Sequence, residues 1–200
     1  MLTATYSLVA MSVEHASVRA SLNAFHTLIR STFAPEPSLS SGQVDFACLA
    51  MQRLYDAFDH RKVELVLIPA VRKLTHVADR LLAELDQLRR TAAQAMNWLF
   101  ARARDGAIEG KSAVASFCDT ADKFCSSLLT RLEREERELF PVARTALPVE
   151  TWFDIAHQLI AAESRSVKPR ATLRTRPRGS ITPVPPPMRV DNNLVRGMAS

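Results

Sequence analysis

Long stretches without proline or glycine limit what this chain can fold into more than any other feature. Residues 1–163 contain only five prolines and three glycines, and the segments between them are rich in Ala, Leu, Arg and Glu. These residues favour helices, and no segment alternates apolar and polar residues as a half-buried strand does. The sequence therefore predicts an all-α fold, with helices at about 7–31, 44–72, 75–104 and 112–146 and a short C-terminal helix at 149–163.

The four long segments each carry an apolar stripe at helical spacing, and the connections between them are short. The predicted core row runs from Met11 to Ile29 in the first segment, includes Phe46 and Leu49 in the second, and runs from Phe117 to Ala143 in the fourth. The second segment follows Ser40–Gln43, which fits a capping box at the start of a helix. Amphipathic helices of this kind cannot bury their stripes singly, so they must pack against one another. We therefore expect an antiparallel up-down four-helix bundle.

The basic charge of the chain is concentrated at its C-terminal end. Residues 164–200 contain eight Lys or Arg and one acid, a formal charge of +7, whereas residues 1–163 carry −2. The segment is rich in Pro and Arg, with Pro-Val-Pro-Pro-Pro at 183–187, a composition typical of disorder. We therefore divide the chain into a helical domain (1–163) and a basic disordered tail (164–200). The tail is interpreted as a solubilising extension, and contact with an anionic partner is the alternative.

Other features bear on location and partners. No apolar run approaches the ~20 residues needed to cross a bilayer, and the N-terminus lacks the early Lys or Arg of a secretory signal. The three cysteines, Cys48, Cys118 and Cys125, show no CxxC or CxxH spacing, which favours structural thiols in a reducing compartment. We therefore expect a cytoplasmic protein without a membrane span. No specific nucleic-acid motif, catalytic triad or phosphate loop is present, and the oligomeric state is left open.

Several histidines and glutamates fall inside the apolar stripes, where polar side chains are unusual. At about 100° per residue, these are His15 in the first helix, His60 and Glu64 in the second, and Glu135 and Glu136 in the fourth. A carboxylate that faces a helical core is costly unless it is paired or ligated. Inward Glu and His on facing helices build metal sites in bundles, and mixed nitrogen and oxygen ligands suit iron, manganese or zinc.

The second and fourth helices also contain related segments, HRKVELVLIPAVR (60–72) and LEREERELFPVAR (132–144). Alignment on the shared proline pairs Glu64 with Glu136. This repeat predicts two helices related by a pseudo-twofold axis, each of which presents one carboxylate to the centre.

These segments resemble the hemerythrin-like (HHE cation-binding) family over about residues 8–160. The run EREERELFPVAR followed by LPVETWFDIA is similar to the fourth-helix signature, and His60-x-x-x-Glu64 and Glu14-His15 are similar to the earlier ligand motifs. The resemblance implies a four-helix bundle around a non-heme diiron centre, in proteins that bind dioxygen, sense oxygen or iron, or handle nitric oxide and iron–sulfur repair. It implies His15, His60, Glu64 and Glu136 as metal ligands, with Glu135 as the alternative to Glu136 if the register of the fourth helix moves by one.

The ligand set implied by the resemblance is incomplete. The fourth-helix histidine should lie at 132 or 131, where this chain has Leu132 and Arg131, and no histidine occurs from 77 to 156. His76 is a weaker candidate, because it lies about 160° from the centre of the stripe on its helix. We therefore expect a degenerate centre with one or two non-heme iron ions, which binds or senses a small diatomic ligand (dioxygen or nitric oxide) or iron rather than catalysing turnover. The alternative is a metal-free bundle that acts as a regulatory or protein-interaction module. A diiron oxidoreductase is the least favoured hypothesis.

Overall fold

The computed structural model describes residues Leu2–Ser166, with side chains as far as residue 162, and these residues are almost entirely helical. The predicted all-α class is therefore confirmed. Residues 164–166, assigned from the sequence to the tail, continue the last helix. The rest of the predicted disordered tail, 167–200, lies outside the described residues.

The helices follow one another with few interruptions. In chain order they are α1 (Leu2–Leu28), a π turn π1 (Ile29–Phe33), α2 (Ser41–Asp59), π2 (Val63–Leu67), α3 (Ile68–Leu74), α4 (Asp79–Ala103), α5 (Lys111–Arg134), π3 (Glu135–Leu139), α6 (Phe140–Ala146) and α7 (Val149–Ser166). Ser40 caps α2 and forms the predicted capping box with Gln43. The first helix starts earlier than predicted, and the predicted second helix is interrupted at residues 60–62.

The four longest helices contact one another in a ring. α4 packs along α5 and α2, and α1 also packs along α5 and α2, while α7 covers α1 and π2. Between the long helices, strands β1 (Ser38–Leu39) and β2 (Ile108–Glu109) pair antiparallel and join the α1–α2 and α4–α5 connections. Among the described residues, no helix has the length and apolarity that a membrane crossing requires.

Each of the three π turns is followed by a proline. The turns close with i to i+5 hydrogen bonds from Ala34 N, Ile68 N and Phe140 N, and the next residues are Pro35, Pro69 and Pro141. A proline cannot donate to the carbonyl four residues earlier and its ring clashes with that carbonyl, so a wider turn before it relieves the conflict. Residues 63–74 and 135–146 therefore adopt the same π turn and helix, and the sequence repeat corresponds to a repeat of local structure.

The apolar core consists of two separate clusters. One contains Leu22, Met51 and Phe124, among others, and the second contains Met11, Leu67, Leu139 and others. Where a helical row passes from one cluster to the other, it carries a buried polar side chain: His15 lies between Met11 and Val18, Arg61 between Phe58 and Val63, and Glu135 between Leu132 and Leu139. A polar layer therefore separates two apolar halves.

The buried face of α2 differs from the predicted one. The sequence places Phe46 and Leu49 in the core, whereas both are more than half exposed and Val44 and Met51 are buried instead. Both faces of α2 are apolar, so the hydrophobic period alone does not distinguish them. The rows predicted for the first and fourth helices are buried as expected, from Met11 to Ile29 and from Phe117 to Ala143.

Candidate functional site

The polar layer contains a group of charged side chains that we call the ionic cluster. Its members are His15 from α1, Arg61 and Glu64 from the α2–π2 segment, and Arg131, Glu135 and Glu136 from α5 and π3. His15, Arg61, Arg131 and Glu135 have no solvent-exposed surface. Charged side chains are almost never fully buried unless they are paired, so their partners determine whether the layer is stable.

Arg61 lies at the centre of the ionic cluster. Its guanidinium donates to both carboxylate oxygens of Glu135, with Nη1–Oε2 at 2.5 Å and Nη2–Oε1 at 3.1 Å, and to Glu64 Oε1 at 3.0 Å. Nε donates to the carbonyl of Phe58 at 2.9 Å, and Cζ lies 3.6 Å from the centre of the Phe58 ring. This combination of a bidentate ion pair with a cation–π contact compensates much of the cost of burying the charge.

Arg131 supplies a second buried guanidinium. Its Nε donates to Glu135 Oε1 at 2.9 Å, and its Nη2 forms a close ion pair with Glu64 Oε1. Among the described residues, neither Nη1 nor Nη2 has a hydrogen-bond partner, so the contact of Nη2 with Glu64 is an ion pair without a hydrogen bond. Glu64 and Glu135 therefore each contact both arginines, and the four charges balance.

His15 connects this centre to the surface. His15 Nε2 lies 2.8 Å from Arg61 Nη1 and 3.2 Å from Glu135 Oε2. The other ring nitrogen, Nδ1, lies 3.2 Å from Glu136 Oε1, and Glu136 Oε2 accepts from Arg19 at 2.8 Å. Glu136 and Arg19 are partly exposed, so the chain of contacts runs from solvent to the buried centre.

The two buried carboxylates respond differently to this environment. Burial raises the pKa of Glu64, and the nearby charge of Glu135 raises it further, so the arginines only partly offset the increase. Burial acts on Glu135 in the same direction, but contact with His15 and the charges and hydrogen bonds of Arg61 and Arg131 outweigh it and lower the pKa to about 2. Glu135 is thus the carboxylate most strongly held in its charged form.

The sequence-predicted candidates separate into two groups. His15, Glu64, Glu136 and the alternative candidate Glu135 lie together in the ionic cluster. His60 does not: α2 ends at Asp59, the His60 side chain is exposed, and its Nδ1 lies 2.7 Å from the carbonyl of Asp56.

The prediction that His60 faces the interior is therefore wrong. It assumed one continuous helix with the Phe46 face inward, whereas the break after α2 turns the next residue, Arg61, into the core. His76 is also exposed, in the connection before α4, and pairs with Asp79 at 2.9 Å.

Comparison with family models, curated proteins and solved structures finds no match to this chain. Whether these residues could hold a metal ion must therefore be judged from the geometry of the ionic cluster. Among the described residues, no three His, Cys, Asp or Glu side chains are grouped so that they could hold a metal ion. Instead, the guanidinium groups of Arg61 and Arg131 lie between Glu64, Glu135 and His15 and use the oxygens and the nitrogen that would bind a cation. The residues present do not fit an iron centre.

Sequence reasoning missed the two buried arginines and one supporting acid. Arginine is ordinarily a surface residue, so neither Arg61 nor Arg131 stood out, although 131 is one of the two positions where the family resemblance requires a histidine. Glu14 enters the sequence prediction only as part of a motif, but its Oε2 accepts from the backbone N–H of Lys62 at 2.7 Å and fixes α1 to the start of π2. The acids predicted to face the core are the signal that could have revealed the arginines, because a buried carboxylate needs a positive charge beside it.

Proposed function

We propose that this chain is an antiparallel up-down four-helix bundle of the hemerythrin-like kind in which two arginines supply the positive charge that metal ions would otherwise provide. It acts as a metal-free regulatory or protein-interaction module. The observation that carries the proposal is the position of Arg61 and Arg131, which are fully buried between Glu64, Glu135 and His15. The degenerate iron centre considered from the sequence would require these guanidinium groups to leave the core.

Charge balance and packing support this proposal. A buried carboxylate needs a cation, and either a metal or a guanidinium meets that need. Here the guanidinium of Arg61 makes a bidentate contact with Glu135 and stacks on Phe58, and Leu132 is fully buried at the other position where the resemblance requires a histidine. Ligand binding through an open metal position has no support in this arrangement.

We place the module in the cytoplasm as part of the same proposal. Cys48, Cys118 and Cys125 are all free and buried. Unpaired thiols are typical of a reducing compartment.

Metal analysis tests the proposal directly. Protein produced in iron-rich medium, and purified both with and without oxygen, should contain far less than one iron, manganese or zinc per chain. Its thermal unfolding should not change when a chelator or Fe²⁺ is added. His60→Ala should behave as the wild type does, with His76→Ala as the matched control. One metal per chain that is lost in His15→Ala or Glu64→Gln would refute the proposal.

A further inference from the structure

α1 has two apolar faces, and only one of them is used by the fold. The core face runs from Ala4 through Met11 and Leu22 to Phe25. On the opposite side, exposed residues recur at alternating intervals of four and three: Leu2, Tyr6, Val9, Val13, Ala16 and Ala20. At 100° per residue this second row, which we call the outer stripe, lies about 180° from the core row. A helix that is apolar on opposite sides is typically covered on both.

The outer stripe is both exposed and uncharged. Its four large members have between 51% and 89% of their surface open to solvent. Residues 2–13 contain no charged or histidine side chain, and the positions that flank the stripe are small: Thr3, Thr5, Ala10, Ser12 and Ser17. Two copies of the stripe can therefore approach without like-charge repulsion. A partner with charged side chains at the contact would have to desolvate those charges without an opposite charge on the stripe to pair with.

The sizes of the residues along the outer stripe favour pairing with itself in one direction. The large side chains lie at the N-terminal end and the two alanines at the C-terminal end. In an antiparallel pair centred near residue 11, Leu2 lies opposite Ala20, Tyr6 opposite Ala16, and Val9 opposite Val13. The two largest side chains, Leu2 and Tyr6, then each meet an alanine, and two valines meet at the centre, as interdigitated helix packing requires. A parallel pair would oppose large with large and leave gaps between the alanines.

We propose that the chain forms a homodimer through an antiparallel, twofold contact between the outer stripes of two α1 helices. The alternating four-and-three spacing is the seam of a coiled coil, and over residues 2–20 it is about 27 Å long. This contact gives the interaction module proposed above its first partner, a second copy of the chain. It rests on α1 alone, so it stands or falls independently of the metal content of the ionic cluster.

Sedimentation equilibrium of the full-length protein tests this inference. The expected mass is about 44 kDa, twice the chain mass of 22.2 kDa. Because a twofold interface contains each residue twice, Val13→Glu should weaken the dimer by about 100-fold or more. Val77→Glu is the matched control, since Val77 is also exposed but lies outside α1, and it should leave the dimer unchanged. A monomeric wild type, or a dimer that Val13→Glu does not weaken, would overturn the proposal.

Cysteine cross-linking tests the direction of the pair. The native cysteines are buried, so an introduced surface thiol reports alone. Under mild oxidation the double variant Leu2→Cys/Ala20→Cys should form a covalent dimer. Ala20→Cys alone should not, because the two copies of residue 20 lie about 27 Å apart along the axis of an antiparallel pair. Efficient cross-linking of Ala20→Cys alone would overturn the antiparallel arrangement.

Discussion

Replacement of Arg61 by methionine removes the central guanidinium and keeps most of the apolar stem. Arg61, Arg131, Glu64 and Glu135 carry no net charge together, so the variant leaves one uncompensated negative charge in the polar layer. Removal of one partner from a buried ion pair costs about 3–5 kcal/mol. In a domain of this size each kcal/mol lowers Tm by about 2–4 °C, so we expect a decrease of roughly 6–20 °C.

The decisive measurement is a double-mutant cycle with Glu135→Leu. This second variant alone leaves one excess positive charge and should cost a similar amount, whereas the double variant retains the balanced pair of Arg131 and Glu64. The cost of the double variant should therefore fall below the sum of the single costs by about 2–3 kcal/mol. Urea unfolding followed by far-ultraviolet circular dichroism measures each free energy. Arg80→Met is the control, because the exposed pair of Arg80 and Glu84 should contribute little. Additive single costs would refute the idea that the layer is held by charge balance.

Two further predictions concern titration and thiol reactivity. Because the pKa of Glu135 is lowered from 4.5 to about 2, its contribution to stability is complete above about pH 4.5 and is lost as the pH falls toward 2. Glu135→Gln should therefore lose less stability than the wild type over this range. An equal loss of unfolding free energy in the two proteins would contradict the assignment. Burial raises the pKa of Cys48 and Cys118, and raises that of Cys125 to about 12. All three thiols should therefore resist a disulfide reagent in the folded protein and react after unfolding in urea. Rapid reaction of the folded protein would contradict their burial.

The helices themselves could be predicted because their signals are local. The capping box at Ser40, the scarcity of Gly and Pro, and the single apolar row of α5 each identify a helix without information from the rest of the chain. The orientation of α2 could not be predicted in this way. Val44 and Phe46 begin two apolar rows of similar quality, and only the packing of α1 and α4 determines which row is buried.

The candidate site was predicted in part, for a related reason. His15, Glu64 and Glu135 belong to apolar rows, so their inward direction follows from helical phase. The choice between His60 and Arg61 depends instead on the break at residues 60–62, which no local pattern marks. A one-residue change of phase exchanges a histidine for an arginine, and this changes the chemistry of the centre from metal ligation to charge pairing.

The division of the core into two apolar halves has a consequence for how the protein opens. The buried apolar residues of the two clusters do not contact each other through the polar layer, so the continuous helices and the ionic cluster carry the cooperativity between them. In one half, the backbone pairing of β1 with β2 also joins the α1–α2 connection to the α4–α5 connection. Native-state hydrogen exchange should therefore resolve two sub-global units, and the half that holds α7 should lose its protection first.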